Sequence, residues 1–126
     1  MQPLFVLYVA DQVKSAGFYR VVLDLEPCLD VPGMTQFELH QGSLLGLMPE
    51  TGIQRLLGDQ IPDLSLFRGV PRAELYLRVA EPQRYHARVL AQGGKELSPL
   101  QKRGWGDLAA YSQDLDGHVL AFARSV

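Results

Sequence analysis

The hydrophobic and polar residues follow one order of elements in the first part of the chain. The apolar run at 4–9 is typical of a strand that is buried on both faces. Residues 12–25 then predict a helix that Pro27 ends, with Asp11 as its cap. Two strands are predicted at 34–39 and 43–48, around a polar turn. The apolar face of the helix is expected to contain Val13, Ala16, Tyr19 or Arg20, and Leu23.

The last part of the chain repeats this order. A strand is predicted at 73–79, and a helix begins at Glu81-Pro82 and stops at Gly93-Gly94. A short strand at 95–97 and a hairpin at 105–122 follow. Tyr85, Val89 and Leu90 are expected to form the apolar side of the helix. The two parts match residue by residue at fixed offsets: positions 7, 9, 10 and 11 match positions 70 later, and positions 42, 44, 45 and 47 match positions 75 later.

This duplication predicts an α+β fold built from two βαβββ modules. We expect the first module at residues 1–50, a linker loop at 51–72 and the second module at 73–126, together forming one domain. A connection of this length is uncommon in a small domain unless it covers a site or contacts a partner. Its apolar residues Leu64, Leu66 and Phe67 either pack on the core or form a wall of a pocket or a dimer contact.

Composition excludes several classes of partner. The 126 residues carry a formal net charge of −2, so neither nucleic acid nor a membrane surface is an expected partner. The first apolar run is too short to cross a membrane and lacks the basic residues of a signal peptide. Cys28 is the single cysteine and cannot form an internal disulfide, so we expect a cytoplasmic protein.

Five segments together resemble the vicinal oxygen chelate superfamily, which includes glyoxalase I, extradiol dioxygenases and bleomycin-resistance proteins. They read LYVAD and FYRVVLDL in the first half, and GKELSPL, WGD and DLDGHVLAF in the second. The resemblance covers nearly the whole chain. It implies that the two modules form curved mixed sheets around a cavity, and that the protein is a homodimer.

The resemblance also implies where a divalent metal would be held. The metalloenzymes of this superfamily use His, Gln or Glu from the first and last strands of each module. These positions correspond here to Leu4, Gly46, Glu74 and Ala121. Only Glu74 offers a donor atom, and one carboxylate does not hold a catalytic ion. We therefore expect no metal site and no cofactor.

Strand alternation suggests which residues contact a ligand. It places Glu74, Tyr76 and Arg78 on one face of their strand. The resemblance implies that aromatic residues near the last hairpin stack on flat ligands. The space left by Gly46 and Ala121 is either filled by neighbouring side chains or kept as an apolar pocket. The expected ligand-binding residues are Glu74, Tyr76, Trp105, Tyr111, Tyr8 and Met48.

The sequence leaves three functions open. The first is a metal-independent protein that binds or sequesters a small, partly apolar molecule. The second is a lyase, isomerase or dioxygenase of the same superfamily, either metal-dependent or using Glu74 as the catalytic base. The third is a dimeric scaffold without a ligand. The histidines His40, His86 and His118 form no recognisable catalytic pattern, so surface positions are expected for them.

Overall fold

The order β-α-β-β-β occurs twice in the chain, as the duplication predicts. The computed structural model describes all 126 residues. The first set and the helix after it are β1 (Leu4–Val9), α1 (Gln12–Leu23), β2 (Leu29–Val31), β3 (Met34–His40), β4 (Ser43–Pro49) and α2 (Glu50–Leu57). The second set is β5 (Glu74–Arg78), α3 (Pro82–Ala91), β6 (Lys95–Lys102), β7 (Asp107–Gln113) and β8 (Val119–Ser125). Two short 3₁₀ helices, Gly58–Gln60 and Leu64–Phe67, lie between α2 and β5.

Each set of strands forms one four-stranded mixed sheet. The strand orders are β1-β4-β3-β2 and β5-β8-β7-β6. The first and last strands of each set pair in parallel, and the other pairs are antiparallel. The expected α+β class is therefore confirmed. None of the helices is both long enough and apolar enough to cross a membrane.

Contacts along the chain define two units. The first comprises Met1–Arg20 and Asp24–Arg68, and the second comprises Val21–Leu23 and Gly69–Val126. In the first unit, Leu7, Val9, Phe37, Leu45 and Leu47 are almost fully buried and form the apolar core of the sheet.

The buried side of α1 differs from the prediction. Val13 is 83% exposed, so it does not belong to the core. The Gln12 side chain donates to the Val31 carbonyl at 2.8 Å and accepts from the Gly33 amide at 2.9 Å, so the first turn of α1 is bound to the β2–β3 hairpin. With the helix held in this rotation, its buried residues are Ser15, Phe18, Tyr19, Val22 and Leu23.

In the second unit, α3 packs against one face of the sheet. The Tyr85 ring stacks on Phe122 with centroids 5.1 Å apart, and Val89 is fully buried. Leu90 is 39% exposed, so its expected place on the apolar side of the helix is wrong. His86 is buried instead, so its expected surface position is also wrong. Its Nε2 lies 2.8 Å from a Glu96 carboxylate oxygen.

The segment that follows β4 belongs to the first unit. Glu50 is buried at the start of α2, and its carboxylate pairs with the Arg68 guanidinium. Of the apolar residues of the predicted linker, Leu64 and Phe67 are half-buried and Leu66 is 73% exposed. Glu50 and Arg68 thus join the two ends of this segment.

Candidate functional site

One face of the second sheet carries no helix, and α3 packs against the opposite face. Its residues alternate with the core residues along β5, β7 and β8. We call this surface the helix-free face, and its members are Glu74, Tyr76, Arg78, Asp107, Ala109, Tyr111, Ala121 and Ala123. The expected alternation of Glu74, Tyr76 and Arg78 is confirmed by their pairing with Val119, Ala121 and Ala123.

Two tyrosines meet above a small residue at the centre of this face. Ala121 pairs with Tyr76 on β5 and with Tyr111 on β7. The alanine is fully buried, and the two rings lie 6.5 Å apart at an angle of 64°. An edge-to-face arrangement of this kind is favourable for aromatic rings. The space next to Ala121 is therefore covered by tyrosine rings.

Asp107 binds two other side chains of the face, Tyr76 and Arg78. Its buried carboxylate accepts a hydrogen bond from the Tyr76 hydroxyl at 2.6 Å, and Arg78 binds it through Nη1 at 3.0 Å and Nη2 at 2.9 Å. These hydrogen bonds hold the pKa of Asp107 below its ordinary value. Burial, followed by the bond to Asp107, raises the pKa of Tyr76, so its hydroxyl stays protonated and donates.

Trp105 extends this network to the surface. Its indole Nε1 donates to the Tyr76 hydroxyl at 3.0 Å, yet the residue is 59% exposed. The indole is thus held by one hydrogen bond and remains accessible to a ligand. Asp107 was not among the predicted site residues, although its place directly after Trp-Gly, at the first position of β7, is a signal that could have identified it.

Glu74 lies at the end of the face away from Asp107, and Tyr111 lies between these two residues. The Glu74 side chain is exposed and forms no hydrogen bond or ion pair. Burial, followed by the negative charge of Glu74, raises the pKa of Tyr111, and the positive charge of Arg103 opposes this. The Arg103 guanidinium lies 5.1 Å from the centre of the Tyr111 ring. Tyr8 and Met48 are neighbours in the register of β1 and β4, in the first unit.

Residues 2–122 match the family model of the Glyoxalase/Bleomycin resistance protein/Dioxygenase superfamily. The chain belongs to this superfamily. No curated protein matches it. This member of the superfamily is similar in structure to a glyoxalase-related enzyme from Fulvimarina pelagi, with a TM-score of 0.83 and 22% identity over 99% of this chain and 88% of the other.

Two further solved structures have the same fold. A glyoxalase/bleomycin resistance protein/dioxygenase family enzyme from Burkholderia phytofirmans PsJN has a TM-score of 0.79 and 14% identity, over 98% of this chain and 97% of that one. A glyoxalase/bleomycin resistance protein/dioxygenase from Nocardioides has a TM-score of 0.77 and 19% identity, over 100% of this chain and 83% of that one. At these identities the likeness concerns the fold alone.

The metal positions of the superfamily do not fit a divalent ion in this member. Leu4, Gly46 and Ala121 offer no donor atom, and Glu74 alone is left. At Gly46, a Cβ atom would lie 3.0 Å from the Met34 sulfur and 3.2 Å from a Leu4 methyl carbon. Apolar side chains thus occupy the space where the first sheet would need a ligand.

A second group of possible metal ligands lies in the β7–β8 turn, where Asp114, Asp116 and His118 place donor atoms within 4.8 Å of one another. Asp114 accepts from the backbone amides of Asp116 and His118 at 2.9 Å, and its other oxygen lies 2.9 Å from His118 Nδ1. The Arg72 guanidinium lies 3.2 Å from His118 Nε2. These contacts use the side-chain atoms of Asp114 and His118 and place a guanidinium beside them, which favours a structural role for these two residues. The expected surface position of His118 is wrong, because the residue is buried.

Proposed function

We propose that this superfamily member binds a small, partly apolar molecule without a metal ion, and that the helix-free face of the second sheet holds it. The observation that carries the proposal is the Asp107 network, which fixes the side chains of Tyr76 and Trp105 while leaving the indole exposed. A flat ligand would stack on Trp105 and contact Tyr76 and Tyr111, and Glu74 would supply a polar contact.

Fixed aromatic side chains favour binding because little conformational entropy is lost when the ligand arrives. Tyr76 is held by two hydrogen bonds through its hydroxyl, one to Asp107 and one from Trp105. The Arg78 guanidinium lies 5.7 Å from the centre of the Tyr76 ring and further restricts it. The face is thus arranged before a ligand is present.

The ligand can be sought with Trp105, which is the single tryptophan of the chain and therefore reports on this face. We expect a flat antibiotic or metabolite to change its fluorescence in a saturable way and to raise the melting temperature. A ligand at 100 times its Kd stabilises the folded state by about 2.7 kcal/mol. Trp105→Leu should weaken this binding, whereas Val13→Ala, which changes an exposed apolar residue of the first unit, should not. Equal effects of the two variants would contradict the proposed site.

Metal independence is tested by elemental analysis. Purified protein is incubated with Ni²⁺, Zn²⁺, Mn²⁺ or Fe²⁺, dialysed and analysed. We expect far less than one ion per chain, because three of the four superfamily positions lack a donor. One tightly bound ion per chain that a chelator removes would refute metal independence.

One observation favours a second function, an enzyme that uses Glu74 as a general base. The carboxylate is unpaired and lies near the raised-pKa hydroxyl of Tyr111, so it is free to accept a proton from a bound substrate. A lyase or isomerase activity that Glu74→Gln abolishes, without loss of ligand binding, would support this function over sequestration.

We also propose that the protein is a cytoplasmic homodimer. Its one cysteine, Cys28, is exposed and forms no disulfide within the chain, which suits the cytoplasm. Phe5 is 60% exposed on β1, the edge strand of the first sheet, and exposed aromatic residues are enriched where subunits meet. Sedimentation is expected to give twice the mass of the 126-residue chain, and a stable monomer at micromolar concentration would refute the dimer.

A further inference from the structure

The polar groups of the helix-free face differ in whether they have partners. Asp107 and Arg78 neutralise each other, and the Tyr76 hydroxyl both donates to Asp107 and accepts from Trp105. Glu74 and the Tyr111 hydroxyl have no partner. Among the charged members of the helix-free face, Glu74 is therefore the one without an ion pair.

The two guanidinium groups on or beside the face, those of Arg78 and Arg103, already form hydrogen bonds. The Arg103 guanidinium donates to the Ala109 carbonyl at 2.9 Å, to the Pro99 carbonyl at 3.1 Å and to the Ser98 hydroxyl at 2.9 Å. Arg78 is held by Asp107 through two nitrogens. An anionic ligand would have to displace these bonds and would also be repelled by Glu74. A cationic group would find Glu74 free.

We propose that the ligand is a flat aromatic molecule with a protonated amine, whose ammonium group binds Glu74 while its aromatic body lies against Tyr76 and Trp105. The proposal rests on the proposed binding function and names its ligand class. An ammonium group donates charge-assisted hydrogen bonds to a carboxylate and is attracted by the electron-rich face of a tyrosine ring. Glu74 and Tyr76 are two residues apart on β5, roughly 7 Å, a span that a short aminoalkyl arm on an aromatic ring can bridge.

Three probes of one shape and different charge test the proposal: 2-naphthylmethylammonium, 2-naphthylmethanol and 2-naphthoate. Their Kd values are measured by ligand-observed NMR on the full chain. We expect the ammonium probe to bind about fivefold more tightly than the alcohol, a factor in line with an exposed ion pair, and the naphthoate to bind most weakly. The preference should shrink when the salt concentration rises from about 0.05 M to about 0.5 M, because salt screens an exposed ion pair.

A pair of variants assigns the preference to one residue. Glu74→Gln should abolish both the preference for the ammonium probe over the alcohol and the salt dependence of that preference. Glu38→Gln removes the same charge from an exposed position on β3 and should change neither. If the alcohol or naphthoate binds as tightly as the ammonium probe, or if Glu74→Gln keeps the preference, the ligand class is refuted and the binding function stands. If none of the probes binds, both proposals fail.

Discussion

The turn between β7 and β8 should tolerate no side chain at Gly117. This glycine has φ of +96°, a conformation that L residues rarely adopt. A Cβ atom there would lie 2.5 Å from the carbonyl carbon of Gly69 and 2.6 Å from its Cα. The Gly69 amide also donates to the Asp116 carbonyl at 2.9 Å, so the two backbones are bound together at this point. Gly117→Ala must therefore strain the turn and displace the segment that leads to β5.

The cost follows from these contacts. A non-glycine residue at positive φ costs about 1–2 kcal/mol. Forcing a methyl group against a fixed backbone costs about 1–3 kcal/mol more, and loss of the Gly69 hydrogen bond about 1 kcal/mol. We expect Gly117→Ala to lower the free energy of unfolding by about 3–6 kcal/mol.

Gly106→Ala provides the matched control. Gly106 lies in the same unit with φ of +93°, and a Cβ atom there would meet nothing within 4 Å. This variant should lose about 1–2 kcal/mol, from the backbone conformation alone. With a urea m-value of about 2 kcal/mol/M, the two unfolding midpoints should differ by roughly 1–2 M when followed by circular dichroism. Equal midpoints would refute the role of the Gly69 contact.

Three further changes test other parts of the structure. Tyr76→Phe removes the hydroxyl that binds the Trp105 indole, so we expect the tryptophan emission to shift to longer wavelength, and an unchanged spectrum would contradict the hydrogen bond. The lowered pKa of Asp107 adds stability that is present above its ordinary value of 3.8 and is lost as the pH falls below that value. Asp107→Asn should therefore lose less stability on acidification, as measured by urea titrations at several pH values. An equally steep loss of stability in this variant would contradict the assignment. Val22→Ala should lower the free energy of unfolding by about 2 kcal/mol and Val13→Ala by less than about 0.5 kcal/mol. Similar losses in the two variants would refute the observed rotation of α1.

The fold could be predicted because strand-like and helix-like hydrophobic patterns, with periods of two and 3.6 residues, follow each other in the same order in both halves of the chain. The predicted strands agree with the observed bounds within a few residues except in β6, which was predicted at 95–97 and extends from Lys95 to Lys102, and the three-residue strand β2 was not predicted. Its register with β7 shifts between Glu96 and Ser98 and again between Ser98 and Gln101, and Pro99 lies within it. Such irregularities break the alternation that sequence patterns depend on.

The error in α1 has a different cause. Val13 lies at helical spacing from Ala16, and spacing alone does not decide which side of a helix is buried. Gln12 decides it, through hydrogen bonds to Val31, Gly33 and Thr35 about twenty residues further along the chain. A contact of this kind depends on the folded hairpin, so the local pattern could not indicate it.

Only part of the candidate site could be predicted, because local patterns do not reveal contacts between distant residues. Glu74, Tyr76 and Tyr111 followed from alternation on their strands, which needs only local information. Asp107 did not, because its partners lie 29 and 31 positions away. The buried carboxylate needs a nearby cation and donor, and β5 supplies both only after it pairs with β8.

The pairing of β5 with β8 links the loss of metal ligands to the arrangement of the aromatic residues. Of the four positions at which the resemblance predicts metal ligands, Glu74 alone offers a donor atom, and Ala121 on the same face offers none. Because alanine is small, Tyr76 and Tyr111 approach each other above it to 6.5 Å. A larger residue at 121 would separate the rings, and a metal ligand there would compete with them for the same space. If the predicted metal positions are correct, metal coordination and the paired tyrosines are alternatives at this face, and the unpaired Glu74 carboxylate is the group that the proposed cationic ligand would bind.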